Sequence, residues 1–250
     1  MAGRSLILYR IVHLSTRKVV QTEERRPRGG RDRETAPVFT RLELTEDAVG
    51  RGYSRARFDH REGVRIDGLW RDQRVREVVA VSSFPGFYHR RKGLFVLEAG
   101  RHLGKAAVDR LHRERRDEVS LTPVRLDFRR LLEGLPPEAS IHGAWASDPA
   151  ASGIRSRAAF GEDLAAHAEF RRMRDAGRLS NLSLSYPFAG DLVRVSVSRS
   201  CSAYLFGKMS LENRLRFMEH LATFQDPSAA PRSKRGSARR KPAATGEAEG

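Results

Sequence analysis

The sequence predicts an α+β fold: an antiparallel sheet, or two half-sheets, with about four helices packed mainly on one face. Three observations lead there. Apolar runs of strand length recur from Leu6 to Phe206. Consecutive segments after Leu179 alternate apolar and polar residues, the pattern of a half-buried strand. The stretches Arg101–Arg116 and Ser210–Phe224 instead repeat apolar residues at the spacing of an amphipathic helix.

Leu6 to Leu14 reads as a buried first strand, with Lys18 to Thr22 as its hairpin partner. The stretch EERRPRGGRDRETAP (23–37) holds Pro, paired Gly and mixed charge. It cannot bury enough apolar surface to order itself, so a flexible loop is expected. Val38 to Leu44 is a further strand. Tyr53–Phe58 and Val64–Trp70 read as a hairpin turning at HREG. Ser54, Ala56 and Phe58 share one face of its first arm, and Tyr53, Arg55 and Arg57 the other. Then come a strand at Val75–Ser83, a loop FPGFYHRRKG (84–93), a strand LFVLEA (94–99) and a helix to Arg116.

Val119 to Leu126 is strand-like, and Phe128 to Leu135 is a short helix stopped by Gly134 and the Pro136–Pro137 pair. SIHGAWAS is a short strand, followed by a loop at DPAASG. A helix over Glu162–Ala176 begins with Glu162 and Asp163 and ends with Arg171, Arg172 and Arg174, complementing its dipole. Leu182, Leu184 and Tyr186, then Val193, Val195 and Val197, give two strands with one apolar face, and Cys201–Phe206 a third; together they form an antiparallel meander. Ser210 caps the last helix, whose core side carries Leu211, Leu215, Met218 and Ala222. A boundary near Leu135–Ser140 divides the body into 1–135 and 136–225, a single domain being the alternative, and a basic tail at 226–250 is expected to be disordered.

Charge carries the functional information. The chain has 47 Lys and Arg against 31 Asp and Glu, a net +16, and only six of the cations are Lys. A field of that size attracts polyanions, nucleic acid first and anionic membrane second; the alternative is a partner subunit with an acidic surface, and nucleic acid ranks above both. Cys201 stands alone, so neither a disulfide nor a cysteine-based zinc site forms within the chain. No apolar run reaches the ~18 residues of a membrane span, and the N-terminus lacks a signal-peptide pattern, so a cytoplasmic protein without membrane partner is expected.

The densest cluster is Phe84–Arg116, with nine cations and three acids. Its loop interleaves Phe84, Phe87 and Tyr88 with His89, Arg90, Arg91 and Lys92. Single-stranded nucleic acids are held by rings that stack on bases and cations that follow the backbone. Phe87 and Tyr88 are therefore the expected stacking residues, with Arg90, Arg91, Lys92, Arg101, Lys105, Arg113 and Arg116 on phosphates; of the loop rings, Tyr88 and His89 are the ones expected to be exposed. The competing reading turns Phe84 and Phe87 inward as core and leaves the helix cations as an ordinary solvated face.

Signatures of catalysis are sparse. GRHLGKA (100–106) is too short and lacks the Ser/Thr of a Walker A loop, GRGYSRA fails the dinucleotide fingerprint, and there is no GxSxG. The eight His show no metal-binding spacing, so neither metal nor cofactor is expected. Metal-independent RNA cleavage needs only a general acid–base and cations, which His89, Tyr88 and His102 could supply beside Arg90 and Arg91. The function expected is binding of RNA or single-stranded DNA, alone or as a subunit of a nucleoprotein complex. The alternatives are such an endoribonuclease, or a structural subunit holding an acidic protein.

Overall fold

The computed structural model describes residues 3–24, 37–70, 73–147, 156–176 and 179–229. Its strands are β1 (Arg4–Leu14), β2 (Val19–Gln21), β3 (Phe39–Gly50), β4 (Tyr53–Trp70), β5 (Gln73–His89), β6 (Leu94–Leu97), β7 (Val119–Pro123), β8 (Ser140–Ser147), β9 (Ser156–Phe160), β10 (Leu179–Phe188), β11 (Asp191–Ser198) and β12 (Ser202–Phe206). The helices are α1 (Arg101–Glu114), α2 (Phe128–Glu133), α3 (Ala168–Asp175) and α4 (Leu211–Ala222). The class is α+β: twelve strands join in one antiparallel sheet of order β2-β3-β4-β5-β6-β1-β12-β11-β10-β8-β9, with β7 added beside β1.

β1 is the seam. Its first residues pair with β12 (Arg4↔Leu205), its middle with β6 (Leu8↔Val96) and its last with β7 (Leu14↔Val119). Buried on both faces, it feeds two cores by simple alternation. Leu6 and Leu8 enter a larger core with α2, α3 and α4, while Ile7 and Tyr9 enter a smaller one with α1. β6 divides likewise, Leu94 and Val96 one way and Phe95 and Leu97 the other. Three of the four helices thus cover one face, and α1 covers the opposite face of the shared strands. Each fully buried Leu or Phe contributes roughly 1.5–3 kcal/mol of transfer free energy, so both faces are firmly held.

The β10–β11–β12 meander is present, with Leu182, Leu184, Tyr186, Val193, Val195 and Val197 all buried. The Asp127 carboxylate caps α2 by accepting from Arg129 N, and Ser210 Oγ caps α4 by accepting from Asn213 N at 3.2 Å. Other expectations are corrected. β2 pairs with β3 (Val20↔Leu42) and not with β1. HREG is no turn: β4 runs through it, because Gly63 pairs in register with Val79 of β5. The segment 162–176 begins as a 3-10 turn at Leu164–Ala166, since Asp163 is left-handed (φ 52°) and His167 is extended before α3. Most of the stretch 23–37, the DPAASG stretch and the tail beyond 229 lie outside the described residues.

β3 pairs with β4 only as far as Phe39↔Arg61, and β6 pairs with β5 only over Gly86–His89. From Glu62↔Ala80 outward, β4 and β5 pair only with each other among the described residues. They form a two-stranded ribbon reaching roughly 30 Å beyond the sheet, at about 3.3 Å per residue.

Candidate nucleic-acid interface

The segment Phe84–Lys92 is where charge density pointed, and the fold changes its meaning. It is not a loop: β5 continues to His89, and only the turn before β6 is irregular. Because β5 lies between β4 and β6, its rings fill both cores. Phe84 and Tyr88 enter the α1 side and Phe87 the α4 side, with Phe87 3% and Tyr88 5% exposed. Tyr88 stacks near Phe95 and donates its hydroxyl to the Thr45 carbonyl at 2.9 Å. Phe87 and Tyr88 therefore offer no ring to a base, contrary to expectation. His89 is also buried, edge-on to Tyr53 at 5.1 Å, its Nδ1 accepting from Lys92 N.

The suggested catalytic set is likewise not assembled. Tyr88 faces the α1 core while His89 packs on Tyr53 of the α4 core, so the sheet stands between them. His102 is exposed in the first turn of α1.

The cations have divided roles. The Arg90 guanidinium lies 5.4 Å over Tyr88 and donates to the carbonyls of Leu14 and Ser15 at 3.2 and 3.0 Å, clamping the end of β1. Lys92 Nζ meets Glu219 at 2.7 Å, and Lys105 pairs with Asp109. Arg91, Arg101, Arg113 and Arg116 are exposed and form no ion pair among the described residues. Arg110, which interrupts the apolar side of α1, turns inward and donates to the Arg61 and Val38 carbonyls at the root of the ribbon.

Arg101 opens onto a concavity of about 400 Å³ that local pattern does not reveal. Arg125, from the link between β7 and α2, and Arg199, from the β11–β12 turn, complete a set of three guanidinium groups there. Trp145 of β8 supplies an indole, and Ser180, Asn181, Ser198 and Ser200 supply small polar side chains; among the described residues no carboxylate lines it. The scaffold is fixed by the backbone: Arg199 N donates to Ser180 O at 2.9 Å and its carbonyl accepts from Leu126 N at 2.7 Å. Trp145 is half-buried, edge-on to Phe160 at 5.0 Å, and Ser180 Oγ donates to its carbonyl. Arg125 and Arg199 also line a larger neighbouring groove of about 880 Å³, where Arg129 and Arg174 alternate with Asp127, Glu133, Asp175 and Asp226.

A second cationic cleft, of about 650 Å³, lies between β1, β6, β10 and α4. Arg10, Arg51, Lys92 and Arg216 line it around His220 and Phe188, with Glu219 the one acid among the described residues. Burial lowers the His220 imidazole below its usual 6.5 and raises the Tyr186 phenol that bonds it. Burial, with Glu219 nearby, also pushes the Tyr53 hydroxyl up.

No protein-family model matches the chain, and no curated protein matches it at a significant level. Among the described residues no helix is long and apolar enough to cross a membrane.

Proposed function

We propose that the protein binds nucleic acid, RNA or single-stranded DNA, largely through the phosphate backbone. The observation that carries this reading is the concavity where Arg101, Arg125 and Arg199 meet beside Trp145, lined among the described residues by hydroxyl and amide groups. Guanidinium groups bind phosphate oxygens in pairs, small polar side chains add donors, and an indole offers a face to a base. A protein with an acidic surface would meet the same charge but has no use for a stacking ring between the cations. The exposed Arg113 extends the basic surface along α1, about 18 Å from Arg101 at 1.5 Å per residue, and the exposed Arg116 follows just beyond the helix.

The test is a set of binding titrations at one salt concentration with single- and double-stranded RNA, single- and double-stranded DNA, and polyglutamate. Preference for single strands, with weak polyglutamate binding, supports the reading. Equal affinity for polyglutamate and RNA overturns it in favour of an acidic protein partner.

A second reading, that the chain works as a subunit of a nucleoprotein assembly, draws on the ribbon. Val64, Ile66 and Val78 stand exposed on it, and Val81 at its root is 64% exposed. A two-stranded ribbon is marginal alone in water, and exposed apolar side chains on it fit a protein contact better than a phosphate one. Hydrogen exchange on the isolated protein should show these ribbon amides exchanging far faster than those of β1 and β6. Equal protection would remove the need for a partner.

A further inference from the structure

The cleft beside α4 holds a titratable group, His220, packed among the rings of Tyr186, Phe188 and Phe224. His220 Nε2 shares a 2.6 Å hydrogen bond with the Tyr186 hydroxyl, which fixes the ring. Its Nδ1 has no hydrogen-bond partner among the described residues and is not a buried atom. Among the described residues four cations converge on the same cleft against one carboxylate, and that carboxylate is engaged: Glu219 accepts from Lys92 Nζ at 2.7 Å. Arg10 is held on the cleft wall by donating to Gln225 Oε1 and to the Lys92 carbonyl. Arg51 approaches Glu212 no closer than 3.7 Å at an exposed site. Phe188 is half-buried, and Arg216 lies 5.7 Å over its ring.

We infer that this cleft cleaves single-stranded RNA without a metal ion, with His220 as the catalytic acid–base group. The inference rests on the nucleic-acid reading above and adds a reaction at a second site. The RNA 2′-hydroxyl attacks the adjacent phosphorus while the P–O5′ bond breaks, leaving a 2′,3′-cyclic phosphate and a 5′-hydroxyl. The proton released by the 2′-hydroxyl passes to Nδ1. The departing 5′ oxygen takes a proton from a solvent water, and the resulting hydroxide is neutralised by the proton that His220 holds. Nothing is oxidised or reduced, and no co-reactant is consumed. Tyr186 is a positioning residue, and Arg10 and Arg216 are placed to offset charge developing on the phosphorane oxygens. The lowered imidazole pKa keeps the ring neutral, and so a base, at physiological pH. Among the described residues no three His, Cys, Asp or Glu side chains gather as metal ligands would.

The experiment uses the full chain, a 5′-labelled single-stranded RNA of mixed sequence, the matching DNA, and EDTA throughout. Wild type should cut the RNA to products ending in cyclic phosphate and leave the DNA intact, since DNA lacks the nucleophile. His220→Ala should bind the RNA normally and cut it at least ~100-fold more slowly, the range of general acid–base catalysis, and added imidazole should restore part of the rate. His220→Gln, which keeps the volume, covers the case in which the Ala variant does not fold. His13→Ala, altered at an exposed position of β1, should cut at the wild-type rate. RNA bound but left intact by wild type, or cut equally by the His220 variants, overturns the inference while the binding reading stands. RNA not bound at all sinks the binding reading first, and this inference with it.

Discussion

Arg10 Nε donates to Gln225 Oε1 at 2.7 Å, across 215 positions of sequence, and so ties the first strand to the segment that follows the last helix. That segment is anchored on its other side by Asp226 N, which donates to the Arg125 carbonyl at 2.8 Å. Arg10 lines the cleft at α4 and Arg125 the concavity at Trp145, so residues 222–226 connect the two basic sites along one edge of the fold. A single strand following that edge would meet guanidinium groups for its phosphates at both ends.

Trp145 should report occupancy and contribute to it. If a base stacks there, Trp145→Ala weakens single-stranded RNA binding by roughly 1–3 kcal/mol and Trp145→Phe by less. Titrations of both variants beside wild type check this, with thermal unfolding monitored because Trp145 also touches Phe160. Unchanged affinity in the Ala variant would remove the stacking role.

His60 should make stability fall in acid. It is 3% exposed and shares a 2.8 Å hydrogen bond with Thr40 Oγ1. Burial, assisted by Arg110 and opposed in part by Glu62, lowers its pKa below the usual 6.5. The folded ring therefore stays neutral where the unfolded chain takes up a proton, and stability declines as pH drops through that value. Between the two pKa values the slope approaches about 1.4 kcal/mol per pH unit. Denaturant midpoints of wild type and His60→Gln at pH 7 and pH 5 should show the smaller acid loss in the variant. Equal losses would mean His60 is not the group that titrates.

Gly86 should not tolerate a methyl group. A Cβ there would lie 2.7 Å from Phe95 Cε1 and 3.5 Å from Ala56 Cβ. Phe95 is fully buried between Phe58 and Tyr88 and has nowhere to go. Gly86→Ala is expected to cost roughly 1–3 kcal/mol through overpacking, even though Ala is otherwise the better strand residue. Urea unfolding measures it, and a neutral or stabilising result would contradict the packing described.

Local pattern carried the β10–β12 meander and α4, because their alternation and capping are written into adjacent residues such as Val193 to Val197 and Ser210. It misplaced the β4–β5 ribbon, since Gly63 and the Pro85–Gly86 pair look like turns. In the fold Gly63 is paired with Val79, and Pro85–Gly86 marks the point where β6 joins the sheet. The abundance of cations was legible; their meeting point was not. Arg101, Arg125, Trp145, Ser180 and Arg199 come from five separate stretches and converge only once β12, β11, β10 and β8 are laid in that order beside β1. The aromatic–basic run at Phe84–Lys92 misled for a related reason: alternation along a central strand buried its rings on both faces.

The salt dependence of single-stranded RNA affinity is the most direct test of the basic concavity. On a log–log plot, the Arg101→Ala/Arg125→Ala double variant should bind more weakly than wild type, with a slope shallower by roughly 0.7 for each phosphate that is no longer neutralised. Two lines that superimpose in both height and slope would show that these guanidinium groups hold no phosphate.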